Sequence, residues 1–374
     1  MRGPAVRPVV IAAGGTGGHF FPAEALAAEL LGRGRRVALL TDARSRGLQS
    51  EAFAGGERFV IAGGGIAGRG FFRGARAVAS LAAGTLQARR ILGRLQPAAV
   101  VGFGGYPCLA PVLASRTLRR RPTVVLHEQN AVLGRANRFL ARHAGLLALS
   151  HAATARVPAG ARTRVTGNPV RPGFAPQPYA PPDDLGTVRL LVLGGSLGAR
   201  VLGEVVPEAL AALPDAWRGR IEVTQQCRSE DLARVRAAYA VAAIAARLAG
   251  FFEDVAALLA QAHLVISRAG ASTVAELAVV GRPAILVPLP GAIDDHQAAN
   301  ASALATAGAA WVMPQPAFTP AALGAAIERL LGAPALLTGA AARAAALGRA
   351  DAAARLADLV EERMAEASMM EPGR

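Results

Sequence analysis

A single histidine follows a cluster of glycines near the start of the chain, in the stretch VVIAAGGTGGHFFPAEALAAEL (9–30). Imidazole titrates near neutral pH, so His19 has the chemistry needed to take a proton from a reacting hydroxyl group. The alternative is a histidine that only caps the turn or packs beside it. The four glycines around Thr16 allow a tight turn and a close approach by another group.

A buried strand and a helix must position this histidine. The run VVIAA (9–13) lacks polar alternation, which is typical of a strand covered on both faces of a parallel sheet. Ala23, Leu26 and Leu30 recur at helical spacing after Pro22. The N-terminus of such a helix favours an anion, commonly a phosphate, through its free N–H groups and its dipole.

Two familiar phosphate-binding glycine motifs are excluded. The dinucleotide fingerprint G-x-G-x-x-G would need a glycine at position 20, where this chain has Phe20. The P-loop needs a lysine, and the sequence contains none. A phosphate site must therefore use backbone amides, helix dipoles and arginines.

The strand–turn–helix pattern returns in the second half, at 188–210, and each half has a further glycine turn, at 98–114 and 263–281. Buried strands are also predicted at 35–42, 122–130, 220–226 and 282–290. Alternating strands and helices predict parallel sheets with helices on both faces. Two such units, joined by the proline-rich stretch 168–184, predict an α/β protein of two Rossmann-like domains facing a cleft.

The predicted domains are 1–167, 168–350, and a C-terminal helix at 351–374 that packs back on the first domain. A length of 374 residues with 52% apolar content is typical of a globular protein with ample core. Cys108 and Cys227 make neither a disulfide framework nor a metal cluster, which fits a reducing compartment. We expect no membrane-spanning segment, and hence a soluble or peripheral protein.

Charge is unevenly distributed along the chain. Residues 1–172 hold 25 arginines and six acidic residues (net +19), whereas residues 173–374 hold 16 arginines and 20 acidic residues (net −4). This asymmetry indicates an acidic partner for the first half: a membrane surface, a nucleic acid or an anionic substrate. Nucleic acid is disfavoured, because few aromatic residues alternate with the arginines and no binding motif is present.

Six segments together resemble one family. GGTGGHFFPAEALA, GFGGYP, VVLHEQNAVLGRANR, GNPVR, LGGSLGAR and SRAGASTVAEL occur in this order, and the combination is similar to the MurG family of peptidoglycan synthesis. Its members transfer N-acetylglucosamine (GlcNAc) from UDP-GlcNAc to undecaprenyl-pyrophosphoryl-MurNAc-pentapeptide (lipid I), which forms lipid II. Another UDP-sugar enzyme of the same fold, such as a 2-epimerase or a different lipid glycosyltransferase, is the alternative.

The resemblance implies a glycosyltransferase-B fold, an inverting mechanism, and neither a metal nor another cofactor. It assigns His19 as the candidate base, with Glu128 orienting it or acting as an alternative base. Tyr106 and His127 are implied acceptor contacts, although a loop-fixing role explains His127 and Gln129 equally well. The implied contacts of UDP-GlcNAc are Thr16, Gly17, Gly18, Asn130, Arg171, Ser196, Phe252, Ala271, Ser272, Thr273, Val274, Ala275, Glu276 and Gln297.

Three features of the sequence qualify these assignments. The family usually has glutamine where this chain has Leu197, and His296 replaces the first glutamine of a pair whose second member is Gln297. Thr273 and Glu276 also have the S/T-x-x-E spacing of a helix capping box, which needs no ligand.

A lipid-linked acceptor must be met at a membrane, here the cytoplasmic face of the bacterial inner membrane. The stretch 69–95 carries six arginines and no acidic residue, and it can form a basic amphipathic helix suited to anionic lipid. The residues predicted to share one face are Val78, Leu81, Thr85, Ala88, Leu92 and Leu95; those predicted to contact lipid are Arg69, Arg73, Arg76, Arg89, Arg90, Phe71 and Phe72. An ordinary helix packed on the sheet is the alternative for part of this stretch, and 116–121 and 134–143 extend the basic region.

Overall fold

The computed structural model of the chain describes residues 7–14, 17–45, 50–62, 71–195 and 198–369, and for residue 45 and residues 71–76 it describes the backbone alone. The chain divides into two compact units. Unit 1 comprises Met1–Pro172 and Asp351–Arg374, and unit 2 comprises Gly173–Ala350. The predicted division after residue 167 differs slightly, because residues 168–172 stay with unit 1.

Unit 1 is built on one parallel sheet. Its strands are β1 (Val9–Ala12), β2 (Val37–Thr41), β3 (Glu57–Val60), β4 (Ala99–Gly102), β5 (Thr123–Glu128), β6 (Leu146–Leu149) and β7 (Thr163–Val165). The strand order is β3-β2-β1-β4-β5-β6-β7. Its first helices are α1 (Gly17–Gly32), α2 (Glu51–Ala54), α3 (Phe71–Leu95), α4 (Tyr106–Ser115) and α5 (Arg135–Leu140).

Unit 2 repeats this architecture with six parallel strands. They are β8 (Val188–Leu193), β9 (Ile221–Gln226), β10 (Ala245–Ala249), β11 (Leu264–Ser267), β12 (Ala284–Leu286) and β13 (Ala310–Val312), in the order β10-β9-β8-β11-β12-β13. Its helices are α6 (Arg200–Ala211), α7 (Asp215–Arg218), α8 (Leu232–Val241), α9 (Val255–Gln261), α10 (Ala271–Val280), α11 (His296–Thr306), α12 (Pro320–Leu331) and α13 (Pro334–Leu347). The predicted α/β class with two parallel-sheet domains is confirmed.

The last helix, α14 (Ala352–Met369), belongs to unit 1 and packs against α1. Leu356 and Val360 are fully buried in the same core cluster as Leu26 of α1. Arg33 at the end of α1 forms ion pairs with Asp358 at 2.6 Å and with Glu361 at 2.8 Å. Apolar burial therefore docks the helix, and these charges fix its register.

The first strand shows why the sheets are covered on both faces. Val9 and Ile11 pack with Phe20 of α1 on one face, and Val10 and Ala12 pack with the helices of the other face. All four strand residues are fully buried, as a run without polar alternation predicts. In each unit the chain order reverses beside the first strand, at β1/β4 and at β8/β11, where folds of this kind bind ligands.

Helix α3 shows what the predicted apolar stripe packs against. Ala88 and Leu92 are fully buried, and Leu81 and Leu95 pack against the same core, so most of that stripe faces the protein. Among the described side chains of α3, two large apolar ones are exposed: Val78, the first member of that stripe, at 66%, and Leu86, outside the stripe, at 57%.

Five of the predicted lipid contacts cannot be placed. Arg69 lies outside the described residues, and so do the side chains of Phe71, Phe72, Arg73 and Arg76. Across the described ranges, no single helix has the length and hydropathy needed to cross a bilayer. Within the described residues, one pair of helical segments, Pro320–Leu331 and Pro334–Met369, has sufficient length and hydropathy when taken together. The two segments are bent by 92° relative to each other.

Candidate active site

His19 lies in the first turn of α1, beside the glycine turn that follows β4. The helix begins at Gly17, so two of the four clustered glycines are helical rather than part of a loop. Gly104 and Gly105 have φ angles of +81° and +69°, in the left-handed region that favours glycine. A Cβ on either would lie 3.4 Å from Cδ2 and Nε2 of His19. The half-buried imidazole therefore lies at the β1/β4 switch point, where folds of this kind bind ligands.

His127 is fully buried at the end of β5, and both of its ring nitrogens have partners. Nε2 lies 3.0 Å from the carbonyl oxygen of Gly167, so Nε2 carries the proton and donates it. Nδ1 accepts from the side-chain amide of Gln129 at 3.0 Å. That amide nitrogen also donates to the carbonyl of His127, which fixes its orientation. Burial lowers the pKa of His127 to about 4, so the neutral form persists at pH 7.

These contacts bear directly on the expected acceptor role of His127. A side chain with no exposed surface and two occupied nitrogens has nothing left with which to meet an acceptor. The structure therefore favours the loop-fixing alternative: His127 ties the end of β5 to Gly167, the first residue of the segment GNPVR (167–171).

Glu128 organises the loop that follows β5. One carboxylate oxygen accepts from the backbone N–H of Asn130 at 3.1 Å and from its side-chain amide at 3.0 Å. The other accepts from the backbone N–H of Gly134 at 2.9 Å and from Nδ2 of Asn137 at 2.9 Å. With four donors on a carboxylate that is 3% exposed, this arrangement favours positioning over proton abstraction.

Asn137 of α5 is a site residue that the sequence reasoning missed. Its side-chain amide also donates to the backbone carbonyl of His127 at 3.1 Å, so it ties α5 to the end of β5. A Cβ on Gly104 would lie 3.3 Å from the same amide nitrogen, which places Asn137 beside the turn that contacts His19. Its position within the quoted stretch VVLHEQNAVLGRANR was the only available signal.

Two further predicted residues stay accessible at this edge of unit 1. Tyr106 is the first residue of α4 and is half-buried. Asn130 is also half-buried, and its amide is oriented by Glu128. Both therefore keep part of their surface exposed, and their contact with a ligand stays a prediction.

Arg171 lies over the face of an aromatic ring of α1. Its guanidinium carbon is 4.2 Å from the centroid of the Phe21 ring, a cation–π distance. A Cβ on Gly17 would come within 2.8 Å of the same ring, so only glycine fits there without displacing it. A positive side chain and the N-terminus of α1 are thus held close to one ring.

In unit 2, the turn after β8 depends on close backbone approach. A Cβ on Gly194 would lie 2.6 Å from the backbone nitrogen of Ala199, and Gly198 has a φ of +67°. Ser196 and Leu197, the predicted diphosphate segment, lie outside the described residues, as does Thr16 in unit 1.

Helix α10 begins at Ala271, with Gly270 as its N-cap and no side-chain cap. Thr273 is therefore inside the first turn, and the capping box considered for Thr273 and Glu276 is excluded. The hydroxyl of Ser272 is buried and has no hydrogen-bond partner in the described part of the chain. Glu276 is 6% exposed. Helix α10 thus begins without a side-chain cap, next to a buried hydroxyl that has no hydrogen-bond partner among the described residues.

Arg268, also missed from sequence, fixes the neighbouring strand end. It is 8% exposed, and it donates to the carbonyls of Val287 at 3.1 Å and Pro288 at 3.2 Å. The next residue, Leu289, donates its backbone N–H to the side-chain oxygen of Gln297 at 2.9 Å. A buried guanidinium thus holds the loop that orients Gln297.

The segment before α11 adopts an unusual backbone. Asp294 and Asp295 have φ angles of +55° and +54°, a strained conformation for residues with a side chain. This turn begins the helix at His296, whose Nδ1 lies 2.7 Å from the carbonyl of Ile293.

Phe252, expected to offer its backbone to the uracil, follows β10 and is 4% exposed. Within the described residues, no three His, Cys, Asp or Glu side chains are grouped so as to hold a metal ion.

Comparison with known families covers both units. Residues 9–146 match the glycosyltransferase family 28 N-terminal domain, and residues 189–356 match the glycosyltransferase family 28 C-terminal domain. Among solved structures, MurG of Acinetobacter baumannii is similar with a TM-score of 0.77 at 33% identity, covering 95% of this chain and 99% of that one.

Curated relatives are similar over nearly the full length. The UDP-N-acetylglucosamine–N-acetylmuramyl-(pentapeptide) pyrophosphoryl-undecaprenol N-acetylglucosamine transferase of Granulibacter bethesdensis is 62% identical over 364 residues, covering 96% of this chain and 95% of that protein. The enzyme of the same name from Acidiphilium cryptum is 55% identical over 369 residues, covering 98% and 99%. The chain therefore belongs to glycosyltransferase family 28 and, within it, to the MurG family of N-acetylglucosaminyltransferases.

Proposed function

We propose that this protein transfers GlcNAc from UDP-GlcNAc to the C4 hydroxyl of the MurNAc sugar in lipid I, with inversion at the anomeric carbon, and so forms lipid II. The observation that carries the proposal is the 62% identity to a transferase of that name across 96% of the chain. The alternatives of a 2-epimerase or another lipid glycosyltransferase are not favoured, because the second relative carries the same name at 55% identity.

His19 is the proposed general base. As the C4 oxygen of MurNAc attacks the anomeric carbon of GlcNAc, an imidazole nitrogen of His19 takes its proton, and the bond from that carbon to the UDP oxygen breaks. The support is the placement of a half-buried imidazole at the switch point of unit 1, beside Gly104 and Gly105.

Glu128 and His127 are proposed to hold the loop that presents Asn130. The support is their burial and their full sets of hydrogen bonds to residues 129–137 and to Gly167. Substituting either should therefore lower activity through misplaced neighbours rather than through loss of a proton acceptor.

Donor binding is proposed for the strand ends of unit 2, and Arg171 is a further proposed donor contact through its positive charge. The N-terminus of α10, with the free hydroxyl of Ser272, is suited to the diphosphate and ribose, and Glu276 is suited to accept from ribose hydroxyls. Phe252 and Gln297 complete the proposed contacts to uracil and to the sugar. The dipole of α10 is suited to stabilise the charge that develops on UDP as it leaves.

Incubation with UDP-GlcNAc labelled in the sugar and a short-chain lipid I analogue tests this function. We expect label in a disaccharide product and one UDP released per transfer, with no transfer to an analogue that lacks the C4 hydroxyl. Formation of the 2-epimer of UDP-GlcNAc without acceptor, or hydrolysis alone, would refute the proposal.

We also propose that unit 1 binds the anionic cytoplasmic face of the inner membrane as a peripheral protein. The support is the net charge of +19 in residues 1–172, with Val78 and Leu86 exposed on α3 near the exposed Arg89 and Arg90. Phe139 of α5 is 45% exposed, and Arg142 stacks on it at 4.7 Å.

Sedimentation with anionic and neutral vesicles at two salt concentrations tests the membrane role. Changing Arg89 and Arg90 to serine should reduce partition onto anionic vesicles, because each cation near the surface contributes about 1 kcal/mol. The matched control removes two exposed arginines of unit 2, Arg236 and Arg329. Equal partition of both variants, or equal binding to both vesicle types, would contradict the proposal.

A further inference from the structure

The turn that follows the edge strand β10 contains a buried residue whose backbone polar groups are open. Phe252 is 4% exposed, and within the described residues neither its N–H nor its carbonyl takes part in a backbone hydrogen bond. Buried backbone groups are nearly always paired, so a donor and an acceptor left open on one residue indicate that a ligand completes them. A pyrimidine base, which carries donors and acceptors along its edge, can supply both partners.

Gln226 fixes the start of this turn. It is the last residue of β9, it is 8% exposed, and its side-chain amide donates to the carbonyl of Gly250 at 3.2 Å. The next residue, Cys227, donates its backbone N–H to the carbonyl of Ala249 at 2.9 Å. Two consecutive hydrogen bonds from the end of β9 therefore determine where the chain leaves β10.

Arg247 of β10 contacts the far end of the same turn. Its guanidinium carbon lies 5.1 Å from the centroid of the Phe252 ring, a cation–π distance. Its Nη1 lies 3.4 Å from Oδ2 of Asp254, the N-cap residue of α9. The Arg247 side chain is 59% exposed, so the ion pair alone contributes little. The two contacts together restrict how far the turn can move away from β10.

We propose that Gln226 and Arg247 are positioning residues for recognition of the base of a pyrimidine nucleoside diphosphate sugar. Gln226 holds the turn at Gly250, and Arg247 holds it at Phe252 and Asp254, so the backbone of Phe252 is oriented before the base arrives. Affinity is gained because the turn needs no ordering when the ligand binds. The inference rests on the proposed function and adds to it two residues of unit 2 that act through the turn.

Calorimetry with UDP and CDP tests the proposal on the full chain. The two nucleotides differ only in the base: uracil has an N–H donor at N3 where cytosine has an acceptor. Gln226→Met removes the amide with little change in side-chain size. It should weaken UDP binding about fivefold, the effect of one lost hydrogen bond, and leave CDP binding unchanged. The preference for UDP should therefore fall by the same factor, and the KM for UDP-GlcNAc should rise with kcat retained.

The matched control is Gln225→Met. Gln225 is the neighbouring residue of the same strand, is fully buried, and accepts from the hydroxyl of Tyr239 rather than contacting the turn. Its loss should lower thermal stability and leave the preference for UDP over CDP as it is.

Arg247→Met is the second variant, and it decides the question if Gln226→Met does not fold, because it changes an exposed side chain. It should reduce the preference for UDP about twofold to threefold through the lost cation–π contact. Equal weakening of UDP and CDP binding, or an unchanged preference in both variants, overturns the inference alone. An unaltered protein that binds UDP no better than CDP overturns the proposed donor specificity with it.

Discussion

Replacing His127 with glutamine is expected to reduce the acid sensitivity of unit 1. Burial holds the pKa of this imidazole at about 4 in the folded protein, against an ordinary value of 6.5. The folded state therefore keeps His127 neutral, whereas the unfolded chain binds a proton once the pH falls below 6.5. Above pH 6.5, the buried imidazole does not lower the free energy of unfolding. As the pH falls from 6.5 to 4, protonation of the unfolded chain lowers the free energy of unfolding progressively. Below pH 4 the full decrease, about 3 kcal/mol, is reached.

The assay must report on unit 1 by itself. Both tryptophans, Trp217 and Trp311, are in unit 2, so their fluorescence would miss the event. Hydrogen exchange of peptides from 123–149, measured in urea between pH 7.5 and 4.5, follows the strands around His127. Glutamine should lower stability at pH 7.5 by about 1–3 kcal/mol through lost hydrogen bonds, but its pH profile should be flatter. His143→Gln, a histidine nearer the surface, serves as the control.

Selective ¹⁵N labelling of the six histidines gives an independent measurement of the same quantity. The His127 imidazole should remain neutral, with the proton on Nε2, throughout the range from pH 7.5 to 5. A titration midpoint near 6.5, or pH profiles that coincide for His127→Gln and the unaltered protein, would refute the reasoning.

Three further outcomes are expected. Glu276→Ala should weaken UDP-GlcNAc binding in calorimetry by about 1–3 kcal/mol with α10 intact by circular dichroism, since Glu276 is not part of a cap; unchanged affinity would remove it from the site. His19→Ala should lower turnover about 100-fold or more while donor binding persists, and near-normal turnover would transfer the base role to Glu128 or a water. Gly17→Ala should displace the Phe21 ring and lower thermal stability in calorimetry, whereas unchanged stability and donor affinity would show that the ring can move freely.

The sequence predicted the sheets well, because fully buried parallel strands have a signature of their own. The runs at 9–13 and 122–130 contain β1 and β5, and their polar residues fall where the strands end. The start of α1 was less well predicted, because glycine has low helix propensity, and Gly17 and Gly18 nevertheless form its first turn.

Local sequence patterns could not predict which residues each side chain would contact in the folded protein. The stripe on α3 has helical periodicity, but periodicity alone does not say whether the apolar face meets protein or lipid. Asn137 and Arg268 donate to backbone carbonyls 10 and 19 residues away, and their polar types gave no indication of burial. The Thr273–Glu276 spacing matched a capping box only because the helix start, at Ala271, was unknown.

The return of α14 to unit 1 has a consequence for how the protein is made. The first segment of unit 1, Met1–Pro172, is synthesised before unit 2. Leu356 and Val360, which complete the core around α1, are synthesised only after the whole of unit 2. Unit 2 is continuous in sequence and can finish folding during synthesis, whereas unit 1 must wait, with part of its apolar surface uncovered, for the final helix. The unit that carries His19 therefore exposes apolar surface around α1 until α14 has been synthesised.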